Sequence, residues 1–121
     1  MKYKDEHKRS LEVWGEEAQI IKASEEMGEL LQVLNKYLRL HKNQSLLSNG
    51  KFEEKKLEYT EMIQEEVADV QNAIDQMKLI FGHKRISKLR ELKVQRAMRK
   101  IDQVIKKDSP EETLPESIEK Q

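Results

Sequence analysis

A chain of 121 residues with 38% charged and 36% hydrophobic side chains, one Trp, two Phe and three Tyr reads as one domain with a thin core. Its 23 basic and 23 acidic residues cancel, so net charge supplies no argument for nucleic acid or an anionic membrane. The absence of Cys excludes disulfides, thiolate metal sites and cysteine nucleophiles. The opening MKYKDEHKRS has no apolar core, and no apolar run nears ~18 residues. The expectation is a cytoplasmic protein without signal peptide or membrane span.

Leu11, Val13 and Trp14 fit a short helix over 4–14 that ends at Gly15. Ile20, Ala23, Met27, Leu30, Leu31, Leu34 and Leu38 recur in steps of three and four, the stripe of a helix over 16–41 that runs through Gly28. The stretch HKNQSLLSNGK, His41 to Lys51, is rich in Asn, Ser and Gly and reads as a loop. Ile63, Val67, Val70, Ile74, Met77 and Phe81 mark a helix over 53–82. Ile86, Leu89, Val94, Ala97, Met98, Ile101, Val104 and Ile105 mark another over 84–107. From Asp108 the chain is acidic, aperiodic and broken by Pro110 and Pro115, which predicts a disordered tail over 108–121. The fold class is therefore all-α: a domain over 1–107, a bundle of one short and three longer helices whose core is completed by dimerisation.

By segment, the neutral total is a sum of opposites. Residues 53–76 hold eight acidic and two basic side chains, whereas residues 83–107 hold ten basic and two acidic. Acidic residues three apart on a helix are neighbours able to share one cation. Five such pairs occur: Glu26/Glu29, Glu58/Glu61, Glu66/Asp69, Asp108/Glu111 and Glu116/Glu119. Chance alone gives about four, so position relative to the apolar stripe must discriminate. On a wheel of ~100° per residue, Glu66 falls near the centre of its stripe and Asp69 at the edge. Glu26 lies at the edge of its own stripe, with Glu29 and Lys22 further round, and Glu58 and Glu61 point away.

A carboxylate near a buried face is costly unless protonated, paired or bound to metal. Two readings fit. Two pairs on facing helices build an all-oxygen site suited to Mg²⁺ or Mn²⁺, or these are helix-edge glutamates paired with Lys22, Lys78 or a lysine of the last helix. A di-iron bundle is excluded, because none of His7, His41 and His83 follows a carboxylate by three residues. All three histidines read as surface residues.

The segment WGEEAQIIKASEEMGELLQVLNKYLR, Trp14 to Arg39, followed by EEVADVQNAIDQM from Glu65, resembles the MazG-like nucleotide pyrophosphohydrolases of the all-α nucleoside triphosphate pyrophosphatase superfamily. The resemblance implies Mg²⁺-dependent hydrolysis of a nucleoside triphosphate to monophosphate and pyrophosphate, with Mn²⁺ as an alternative ion. It implies Glu26, Glu29, Glu66 and Asp69 as metal ligands, and Glu25 and Glu65 as the carboxylates that orient or deprotonate water. Trp14, Gln19 and Lys22 would contact the nucleotide, joined by Lys88, Lys93 and Arg96 from KLRELKVQRAMRK. No Asn on that last helix fixes its register. The implied assembly is a homodimer or a dimer of dimers, with a nucleoside triphosphate as partner and neither membrane nor nucleic acid. The alternatives are a phosphoribosyl-ATP pyrophosphatase, or a non-catalytic helical dimer that binds a protein or nucleic acid through its basic last helix.

Overall fold

Gly15 divides the first two helices of the chain. Its φ of 87° and ψ of 163° lie where a Cβ is not tolerated, and its amide still caps the preceding helix through Leu11 O at 2.9 Å. The computed structural model describes residues 1–108. It holds α1 (Lys4–Trp14), α2 (Glu16–Lys42), α3 (Lys51–Phe81) and α4 (His83–Asp108), with no strand among the described residues. The all-α expectation is met. Asp108, expected in the tail, closes α4, and the remainder of the expected tail lies outside the described residues.

The predicted loop is shorter than its composition suggested. Helix α2 continues through His41, whose Nδ1 shares a hydrogen bond with Tyr37 O at 3.0 Å. It stops at Asn43, whose amide side chain donates to Arg39 O at 3.0 Å. A 3-10 turn over Gln44–Leu46 and Gly50 lead into α3. Local side-chain bonds of this kind satisfy the carbonyls that a helix end leaves open.

The chain divides into two compact units, Met1–Gly82 and one beginning at His83. In the first, α2 and α3 run antiparallel: Gln19 shares a cavity with Ala73, Glu26 meets Glu66, and Leu40 lies beside Tyr59. The inward row of α2 is Gln19, Ala23, Glu26, Leu30, Val33, Tyr37 and Leu40, all buried or half-buried. Steps of four and three keep such a row on one face. This corrects the sequence reading. Met27, Leu31, Leu34 and Leu38 form a second apolar row that is exposed, and the packed row lies beside it. On α3 the inward row includes Tyr59, Ile63, Glu66, Val70, Ala73, Met77 and Ile80. Helix α4, forming the second unit, buries none of its residues.

Leu40 is 8% exposed and Leu46 80%. Leu40→Ala therefore lowers unfolding free energy by about 2–4 kcal/mol, whereas Leu46→Ala stays within about 0.5 kcal/mol. Urea unfolding followed by circular dichroism checks both values.

Candidate metal centre and adjoining cavity

The inward rows of α2 and α3 each carry one acidic residue among apolar neighbours, Glu26 and Glu66. Antiparallel packing brings them together with Glu29, one turn beyond Glu26. One carboxylate oxygen from each of Glu26, Glu29 and Glu66 lies within 4.8 Å of the others. Oxygens bound to one cation at 2.0–2.6 Å are at most about 4–5 Å apart, so the spacing suits a single hard cation. Glu26 Oε2 and Glu66 Oε2 are shielded from solvent and have no hydrogen-bond partner. Unanswered acceptors of this kind are costly in a folded chain, and an all-oxygen donor set fits Mg²⁺ or Mn²⁺.

The electrostatics agree with the geometry. Burial raises the Glu26 carboxyl above its usual 4.5, and the charges of Asp69 and Glu29 raise it further, while Lys22 opposes them. Glu66 is raised first by burial, then by the charges of Glu29 and Glu26, with Glu29 near enough to add to the effect. The cluster therefore disfavours full ionisation, and a proton or a cation would relieve its repulsion.

Of the four expected ligands, three converge. Asp69 is not one of those three, yet its charge acts on both Glu26 and Glu66. Glu25 is exposed and its charge reaches Glu26; Glu65 is exposed on α3. Glu58 faces away, as the wheel predicts, and pairs with Lys55 at 3.4 Å.

Asp69 also lines an open cavity of about 550 Å³ between α1, α2 and α3. Trp14, Gln19 and Lys22, the nucleotide contacts implied by the resemblance, line the same cavity. Sequence reasoning missed the rest of its lining, Glu6, His7, Asn72 and Gln76 among it. His7 overturns the surface reading of the histidines: it is 8% exposed, with Nε2 3.3 Å from Asp75 Oδ2. Its position four residues before Leu11 and seven before Trp14, on one face of α1, was the available signal. His41 and His83 are exposed as expected. Lys88, Lys93 and Arg96 are exposed on α4 and belong to the second unit.

No protein-family model, curated protein or solved structure matches the chain.

The raised carboxyls link stability to pH. Folded Glu26 and Glu66 hold protons above 4.5 that the unfolded chain releases. Their contribution is complete below 4.5 and is lost as pH rises through the folded values. In a chelator, the melting temperature of the wild type falls relative to that of Glu66→Gln as pH rises from about 4.5 toward 7. Added Mg²⁺ removes the difference at neutral pH. Parallel melting curves for the two proteins across this range would contradict the cluster electrostatics.

Proposed function

We propose that the chain is a Mg²⁺-dependent nucleoside triphosphate pyrophosphohydrolase of the MazG-like kind, cleaving a (d)NTP to (d)NMP and pyrophosphate. The observation that carries this reading is the convergence of Glu26, Glu29 and Glu66 beside a cavity that holds Asp69, Lys22, Gln19 and Trp14. A polyphosphate needs a cation at one end, and a nucleoside needs a partly apolar recess at the other.

Glu26, Glu29 and Glu66, with Asp69 beside them, would hold Mg²⁺ or Mn²⁺. A divalent cation bound there supplies charge neutralisation for the phosphates and lowers the pKa of water. The protein's own groups do the rest. Lys22 on α2 offers its ammonium to the phosphate chain. Glu25 or Glu65 takes the proton of the attacking water, whose oxygen bonds to one of the two phosphorus atoms of the α–β anhydride. The bond from that phosphorus to the bridging oxygen breaks, releasing monophosphate and pyrophosphate. Gln19 orients the nucleoside, and the exposed indole of Trp14 offers a face for its ring. Such a reaction depends on positioning and charge more than on covalent chemistry.

The exposed row Met27, Leu31, Leu34 and Leu38 supports a homodimer, since a contiguous apolar strip on a thin core favours burial against a second copy. A cytoplasmic setting away from membranes completes the reading; no described helix is long and apolar enough to cross one. The basic α4, which buries nothing of its own, favours the competing reading of a helical dimer that binds nucleic acid. Binding that weakens steeply with salt and ignores Mg²⁺ would identify it.

Glu29→Gln and Asp69→Asn abolish pyrophosphate release from a panel of (d)NTPs while leaving helicity intact. Glu58→Gln, altering an exposed residue paired with Lys55, leaves the rate unchanged. Phosphoribosyl-ATP in the same panel separates the related pyrophosphatase activity. Full activity in Asp69→Asn refutes the assignment of that residue.

A further inference from the structure

Gln76 lies on the part of α3 that faces α1. It is 4% exposed and lines the cavity together with His7, Asn72 and Trp14. Its Nε2 donates to His7 O at 3.0 Å and lies 3.4 Å from His7 Nδ1. On the other side of the imidazole, Nε2 is 3.3 Å from Asp75 Oδ2. The contact is too poorly aligned for a good hydrogen bond but close enough to favour the ring proton on that nitrogen. The Asp75 carboxylate in turn has Lys78 Nζ at 3.8 Å.

This arrangement fixes which way the Gln76 amide points. Reversing it would set Oε1 against the carbonyl oxygen of His7, an acceptor facing an acceptor, and would forfeit the donor that His7 Nδ1 faces. Oε1 is therefore an oriented acceptor, shielded from solvent and without a partner. A buried acceptor that no group answers is costly, and because Gln76 lines the cavity, a ligand that displaces the cover over Oε1 and carries the missing donor would satisfy it.

We infer that Gln76 is a specificity-determining residue of this cavity, its Oε1 accepting a hydrogen bond from an N–H donor on the heterocyclic ring of the bound nucleotide. The inference rests on the nucleotide reading of the neighbouring carboxylates. Trp14, 70% exposed at the end of α1, is the wall with room to shift as the ring enters. The recognition is separate from phosphate chemistry: His7 and Gln76 line the cavity, and neither belongs to the carboxylate cluster.

The test is calorimetric binding of α,β-imido dNTPs to the full chain in Mg²⁺, which reads affinity without turnover. Each of the four bases is paired with a counterpart methylated so that its Watson–Crick edge has no N–H. For the preferred base, the wild type loses about tenfold or more in affinity on methylation, and Gln76→Met binds both members of the pair equally. Circular dichroism and Mg²⁺ binding verify that Gln76→Met is folded, and the wild-type comparison requires no variant. Equal wild-type affinity for parent and methylated nucleotides overturns the inference while leaving the hydrolase reading intact. Persistence of the discrimination in Gln76→Met also overturns it, because bulk rather than the missing donor would then explain the loss. If no imido nucleotide binds, the nucleotide reading fails and the inference falls with it.

Discussion

Three carboxylates meet between α2 and α3, two of them at positions where a packed helix pair ordinarily places leucine or valine. Glu26 sits between Ala23 and Leu30 on its inward row, and Glu66 between Ile63 and Val70. Burial and mutual repulsion raise the carboxyls of both, so full ionisation of the cluster opposes the packing of the helix pair. Much of the remaining architecture follows from this constraint. The long antiparallel α2 and α3 keep the two rows in register over many turns, and the apolar residues on either side of the cluster supply the burial that tolerates it. Lys22 stands close enough to Glu26 to relieve part of its field.

Beside the cluster, α1 forms one wall of an open cavity. Gly15 turns the chain so that α1 lies over the N-terminal part of α2 and the C-terminal part of α3, where His7 reaches Asp75 and Gln76. Asp69 belongs to both regions, its charge felt in the cluster and its side chain lining the cavity. A carboxylate cluster and a hydrogen-bonding cavity therefore adjoin along one helix, and the proposed nucleotide reading draws on that adjacency.

Helical periodicity made the four elements legible, and α1 runs from 4 to 14 as the spacing predicts. The carboxylates were legible because they interrupt apolar rows at positions three apart. The sequence pattern misplaced the face of α2 that packs. That helix has two apolar rows side by side, and periodicity identifies rows without saying which one meets another helix of the same chain. Centring the stripe on Met27, Leu31 and Leu38 left Glu26 at its edge, whereas packing on Ala23, Leu30 and Val33 puts Glu26 inside. His7 and Gln76 were missed for a related reason. Polar residues on an inward row count as gaps in an apolar pattern, and only their partners reveal them as buried.

The account stands on the claim that Glu26, Glu29 and Glu66 hold one divalent cation. Titration of the metal-free chain with Mn²⁺, followed by electron paramagnetic resonance, tests this without reference to any substrate. The account predicts saturable binding that Mg²⁺ displaces, that Glu66→Gln eliminates and that Glu58→Gln leaves untouched. Absence of a saturable site, or binding that survives in Glu66→Gln, would contradict it.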